Sequence, residues 1–173
     1  KTLLIVGGSL GAFTINESIE KLLPELVKYK IQVIWQTGKF FFERAKKSAA
    51  GYKNVSVNEF IYSMDQAYAS ADVVVSRSGA LSISELCLVG KPTVLIPSPN
   101  VSEDHQTKNA MALVNTGSAL LVKDIEAREQ LGNVLFDLLN DEKKQIALSE
   151  NIVKLGFPDA TDRIVEEVVK LLK

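Results

Sequence analysis

The stretch Leu3-Leu4-Ile5-Val6-Gly7-Gly8-Ser9-Leu10-Gly11-Ala12 decides the fold. Four apolar residues in a row make a strand that is apolar on both faces, because alternate side chains point to opposite sides of a sheet. The glycines that follow admit backbone conformations closed to other residues and end the strand. An apolar period at Ile19, Leu22, Leu23 and Leu26 then carries a helix through about Lys28. A strand, a glycine-rich turn and a helix, in that order, place free N–H groups and the positive end of a helix dipole at the turn, which suits an anion. The same pieces also make a tight strand-to-helix turn with no ligand, and the glycines alone do not decide between the two.

Working outward, β-branched apolar runs recur at Val33 to Trp35, Val55 to Val57, Val73 to Val75, Thr93 to Ile96 and Ala119 to Val122. Helical periods lie between them, as at Ala110, Leu113 and Val114. Alternation of this kind predicts a parallel sheet, and right-handed crossovers leave a doubly wound, Rossmann-like α/β fold of about six strands. Ligands are then expected beyond the carboxyl ends of the strands. After Val122 the pattern is helical only, over Ala127 to Leu139, Lys143 to Leu155 and Asp159 to Leu172, with Pro158 near the start of the last helix. A chain of 173 residues without repeats or low-complexity segments is expected to form one domain over 1–173.

Composition narrows the function. With 46% hydrophobic and 24% charged residues and a net charge of -1, the chain offers no field to attract nucleic acid. The lone Cys87 excludes an internal disulfide and a cysteine-held zinc; it fits a reducing cytoplasm and is expected to fill core. No run reaches the roughly 18 apolar residues of a membrane span, and the amino terminus lacks the order of a signal peptide. The chain begins Lys1-Thr2 on a strand without an initiator Met, so an upstream portion is expected to be absent.

The glycine turn fits no common nucleotide fingerprint. Ser9 stands where a dinucleotide motif needs glycine, and no Gly-Lys-Ser/Thr follows as in a P-loop. The second strand runs out as Trp35-Gln36-Thr37-Gly38, without the ribose-holding acid of a dinucleotide fold. A second loop, Ser76-Arg77-Ser78-Gly79-Ala80-Leu81-Ser82-Ile83-Ser84-Glu85, again puts small residues before a helix. Two such loops on one sheet suit a diphosphate. Glu85, expected near the first turn, either steadies the helix dipole or accepts from ribose hydroxyls. The Gly-x-Ser-x-Gly elbow of serine hydrolases is absent. A third polar segment, Pro97-Ser98-Pro99-Asn100 to Asp104-His105-Gln106-Thr107-Lys108-Asn109-Ala110, suits an irregular loop with Asp104 capping the next helix. Gln106 would then lie on the first turn, where its amide is able to meet sugar hydroxyls.

Together, Gly7-Gly8-Ser9-Leu10-Gly11-Ala12 with Ile15-Asn16, Glu59-Phe60-Ile61 to Met64, Ala71-Asp72 through Glu85, and Asp104-His105-Gln106 with Asn109-Ala110 resemble the carboxyl-terminal domain of the MurG family. The resemblance covers essentially the whole chain. It implies one half of a GT-B glycosyltransferase, an inverting, metal- and cofactor-independent enzyme that moves GlcNAc from UDP-GlcNAc to undecaprenyl-linked muramyl-pentapeptide. It further implies that Ser9 contacts the diphosphate and that the Ile61 backbone meets the uracil edge. Ala80, Leu81 and Ser82 would line the phosphate and ribose side, with Ile83 and Ser84 in the same binding segment. Glu85 would bind ribose hydroxyls and Gln106 the GlcNAc ring. Phe13 departs from the family, which often carries a basic residue there, and no ligand role is assigned to His105. The catalytic base, the lipid-linked acceptor and contact with the inner face of the cell membrane would belong to the missing amino-terminal domain, so no catalytic residue is expected here. Rival readings are another GT-B transferase, a sugar-nucleotide epimerase, or a stand-alone UDP-sugar-binding subunit.

Overall fold

In the computed structural model, which describes residues 1–172, the first strand β1 (Thr2–Val6) is sandwiched between two others. It pairs with β2 (Gln32–Gln36) and β4 (Val73–Ser76), and β3 (Val55–Asn58), β5 (Thr93–Leu95) and β6 (Leu120–Leu121) extend the sheet outward. The order is β3-β2-β1-β4-β5-β6 and every pairing is parallel. Chain direction across the sheet therefore reverses between β1 and β4, creating a switch point at their carboxyl ends. The expected doubly wound sheet is present. Its last strand is shorter than the Ala119 to Val122 run, but the Val122 N–H still donates to the Leu95 carbonyl.

The apolar runs are two-faced because both faces of the sheet are covered. Leu3 and Ile5 pack with Val33, Trp35 and Val75 under α1 (Phe13–Lys28), α2 (Lys39–Ser48) and α6 (Ala127–Asn140). Leu4 and Val6 pack with Val74 and Leu95 on the opposite side. There the cover is α3 (Met64–Ser70), α4 (Ala80–Val89), α5 (His105–Val114) and α7 (Glu142–Val153). Cys87 is buried in that second layer, where burial raises its thiol pKa. Trp35 is fully buried and donates through Nε1 to Asn16 Oδ1 at 2.9 Å, so its polar edge is satisfied inside the first layer. The last helix, α8 (Ala160–Leu171), follows Pro158 and contributes no buried residue.

The start of α5 departs from the sequence expectation. Asp104 does not cap the helix backbone; it adopts a left-handed conformation, φ 52°, and its Oδ1 accepts from the Thr107 hydroxyl at 2.7 Å. Glu103 beside it has φ 54°. Two successive non-glycine residues in this region hold the polar loop in a strained path before α5 begins at His105.

Candidate nucleotide-binding cleft

Beyond the switch point lies a cleft of about 410 Å³, lined among others by Gly8, Gly11, Arg77, Gly79, Ser82 and Gln106. These residues come from the loops that follow β1 and β4 and from the first turns of α4 and α5. The glycine turn is fixed by its neighbours rather than by itself. Gly11 has φ +79°, and a Cβ there would land on the Thr37 carbonyl; Gly38, φ +72°, faces the Leu10 carbonyl in the same way. The β1–α1 and β2–α2 loops therefore touch backbone to backbone, which only glycines allow.

Two buried amides tie these loops together. Asn16 donates from Nδ2 to the Thr37 carbonyl at 2.8 Å. Gln36 donates from Nε2 to the Gly8 carbonyl at 3.1 Å, and its Oε1 accepts the Ile61 N–H at 2.9 Å. One side chain thus couples the glycine turn to the Glu59-Phe60-Ile61 segment. The Ile61 N–H is consumed inside the protein, leaving its carbonyl as the main-chain group available to a ligand.

On the other side of the switch point, Arg77 ties its own loop to two other segments through one nitrogen. Its Nη1 donates to the Ile96 and Pro97 carbonyls, both at 3.0 Å, and to Asp124 Oδ1 at 2.5 Å. Asp124 Oδ2 accepts from the Thr14 hydroxyl on the first turn of α1 at 2.9 Å. Gln106 also acts as a tie, because its Oε1 accepts the Ser98 N–H at 2.9 Å and the Ser78 N–H at 3.4 Å. Its amide nitrogen is left over.

Three helices begin around the cleft. None of α1, α4 and α5 has a side-chain cap or an acidic residue in its first turn. The first-turn N–H groups and dipole ends of α1 and α4 are therefore unclaimed, which is what a bound anion requires, whereas α5 follows the acids Glu103 and Asp104 and its His105 N–H donates to the Ser102 carbonyl.

The sequence-derived residues fall into distinct places. Ser82 and Gln106 line the cleft, and Ser9 sits exposed at the tip of the turn between Gly8 and Gly11. Ala80 and Leu81 are exposed at the start of α4. Ile83 packs against the second core layer, and with Ser84 it borders a separate apolar hollow between α4 and α5. The Ser84 hydroxyl donates back to the Ala80 carbonyl. Glu85 is the sixth residue of α4, in its second turn rather than its first, so stabilising the helix end is a minor role for it. It lies one turn beyond Ser82 on the same face. Its Oε2 accepts from the Tyr68 hydroxyl at 3.1 Å while the side chain remains exposed. Burial, and then the Glu85 charge, push the Tyr68 pKa well above its usual value, so the phenol stays protonated and orients the carboxylate. His105 Nδ1 pairs with the Ser102 carbonyl at 2.8 Å.

Sequence reasoning gave no role to Asn16, Gln36, Arg77, Thr14 or Asp124. Asn16 stood in the quoted Ile15-Asn16 pair and Arg77 in the second loop, but their partners lie 21 and 47 residues away along the chain.

A family model for the glycosyltransferase family 28 C-terminal domain matches residues 2–164. The chain is 52% identical over 171 residues to the UDP-N-acetylglucosamine--N-acetylmuramyl-(pentapeptide) pyrophosphoryl-undecaprenol N-acetylglucosamine transferase of Cytophaga hutchinsonii, covering 99% of this chain and 46% of that protein. It is 51% identical over 173 residues to the transferase of the same name from Flavobacterium psychrophilum, covering 100% and 47%. The chain thus spans about half the length of the curated relatives it matches. Among solved structures, MurG of Acinetobacter baumannii superposes with a TM-score of 0.85 at 30% identity, over 98% of this chain and 49% of that one. With the family match running across nearly all of the sheet and its helices, the chain belongs to the glycosyltransferase family 28 C-terminal domain family.

Proposed function

We propose that the cleft binds UDP-GlcNAc and that residues 1–173 are the donor-binding domain of a longer transferase. That transferase moves GlcNAc to undecaprenyl-linked muramyl-pentapeptide in peptidoglycan synthesis. The observation that carries this reading is the convergence of a glycine turn and two uncapped, acid-free helix starts, those of α1 and α4, at the switch point. Such a site suits a diphosphate, and the names of the half-identical relatives supply the sugar and the acceptor.

In the proposed pose the diphosphate lies against Ser9 and the α1 and α4 starts, with Ala80, Leu81 and Ser82 on its phosphate and ribose side. Ile83 and Ser84, whose side chains face elsewhere, take part only through the α4 backbone. Glu85 accepts from ribose hydroxyls with the oxygen that Tyr68 leaves free, and the Ile61 carbonyl accepts the uracil N3–H. The Gln106 amide nitrogen donates to the GlcNAc ring. As the acceptor hydroxyl attacks the anomeric carbon, negative charge grows on the departing UDP, where preorganised N–H groups and dipoles stabilise it without rearranging. No base is assigned to this chain, which alone binds donor without turning it over. Acceptor contacts and peripheral association with the inner membrane face belong to the other half.

The test is transfer of radiolabelled GlcNAc from its UDP donor to lipid-linked muramyl-pentapeptide by the full-length protein. Glu85→Gln is expected to lower kcat/KM by roughly ten- to a hundredfold, the value of a hydrogen bond to a charged group. An unaltered protein that transfers no GlcNAc, or a Glu85→Gln variant as active as the parent, contradicts the reading.

A further inference from the structure

The charged side chains lining the cleft are one cation and one anion, and they hold each other: Arg77 and Asp124. Both are largely enclosed, 13% and 14% exposed. The two carbonyl bonds and the ion pair of Arg77 all leave from Nη1. A guanidinium carries five N–H donors in a planar fork, so those on Nε and Nη2 have no protein partner. No buried side-chain nitrogen among the described residues lacks a partner, so these donors are accessible, and Arg77 borders the cleft. Asp124 is gripped from two sides, by Arg77 and by the Thr14 hydroxyl on the first turn of α1. A carboxylate so placed cancels much of the guanidinium field in the space where a diphosphate would lie.

We propose that Arg77 is a diphosphate-binding cation and that Asp124 is its positioning and charge-balancing partner, which weakens the hold on UDP relative to the sugar nucleotide. The proposal rests on the donor-site reading above. UDP ends in a phosphate whose second ionisation falls near pH 6, so at neutral pH it carries about one more negative charge than a UDP-sugar, whose terminal phosphate is esterified. An unbalanced guanidinium would therefore favour the product over the donor, and a transferase that gripped its product would stall on release. With Asp124 in place the cleft has little net charge, and fixed N–H dipoles are left to carry the recognition. Arg77 also pins the end of β4 to the Ile96 and Pro97 carbonyls, so the same bonds that aim its free face position the β5 loop.

The experiment is calorimetric titration of the 173-residue chain with UDP, UDP-GlcNAc and inorganic pyrophosphate at two salt concentrations, for the parent, Asp124→Asn, Arg77→Gln and the double variant. Asp124→Asn keeps the size of the side chain and an oxygen for Thr14. It is expected to tighten UDP and pyrophosphate about fivefold, and UDP-GlcNAc less, with steeper salt dependence, as one unmasked charge in a partly hydrated site predicts. Arg77→Gln is expected to weaken all three, most strongly UDP, and the double variant to resemble Arg77→Gln. A pair that only braces the fold would instead weaken every ligand in both single variants while lowering the melting temperature. Looser or unchanged UDP binding by Asp124→Asn overturns the proposal, even if Arg77→Gln proves too unstable to titrate. Failure of the parent chain to bind UDP overturns the donor-site reading itself, and the proposal with it.

Discussion

Removing the Gln106 side chain separates a sugar contact from a loop tie. From the sequence and its resemblance, Gln106→Ala loses bonds to GlcNAc and leaves UDP untouched. The structure changes that expectation, because the Gln106 carbonyl oxygen already serves the Ser98 and Ser78 N–H groups at 2.9 and 3.4 Å. Truncation leaves two partly buried donors on two different loops without a partner. The first bond is well formed and its loss is expected to cost about 1 to 1.5 kcal/mol, the second at most about 0.5. For a domain of this size that total lowers the melting temperature by roughly 3 to 8 °C. Because those loops flank the cleft, UDP affinity should fall several-fold as well, and UDP-GlcNAc should lose a further 0.5 to 1.5 kcal/mol or so through the amide nitrogen. Differential scanning calorimetry and paired titrations on one preparation measure all three effects. An unchanged melting temperature with intact UDP binding refutes the tie. Equal losses for both ligands remove Gln106 from the sugar site.

Other perturbations test the remaining parts of the cleft. Glu85→Gln should weaken UDP and UDP-GlcNAc alike by roughly 1.5 to 3 kcal/mol at an unchanged melting temperature, since the residue is exposed and the Tyr68 bond survives in the amide; a variant that melts early but binds normally points to a helix role instead. Gln36→Met keeps the volume and removes both ties, so it should weaken UDP more than pyrophosphate, which has no base; an equal loss for the two would show that the Ile61 segment does not meet the base. Gly11→Ala forces a Cβ onto the Thr37 carbonyl at positive φ, and circular dichroism melting should show a loss of about 2 kcal/mol or more, with diphosphate binding lost at the same time.

The fold was legible because its signals are local. Leu3 to Val6 and Val73 to Val75 are apolar without alternation, and that pattern arises only where a strand is covered on both faces, as both are. The positions of the loops followed from strand order, whereas Ser82 and Gln106 were singled out only by the family resemblance; both line the cleft. What the sequence concealed depends on pairs far apart in the chain. Gln36 stood where a ribose-binding acid was sought and missed, and its role emerges only when β2 brings it between Gly8 and Ile61. Arg77 and Asp124 are each unremarkable in their own segments. Asp104 followed a capping pattern, yet the left-handed turn at Glu103 and Asp104 aims its carboxylate at the Thr107 hydroxyl instead of a backbone N–H. Local propensity cannot foresee that path, because the loop's own geometry sets it.

The central claim is that this cleft selects a uridine diphosphate sugar. Thermal-shift titration of the chain with UDP, UDP-GlcNAc, ATP and NAD tests it most directly, since a ligand that binds only the folded form must raise its stability. Concentration-dependent stabilisation by UDP and UDP-GlcNAc, with none by ATP or NAD, is the predicted result; equal stabilisation by ATP would contradict the account.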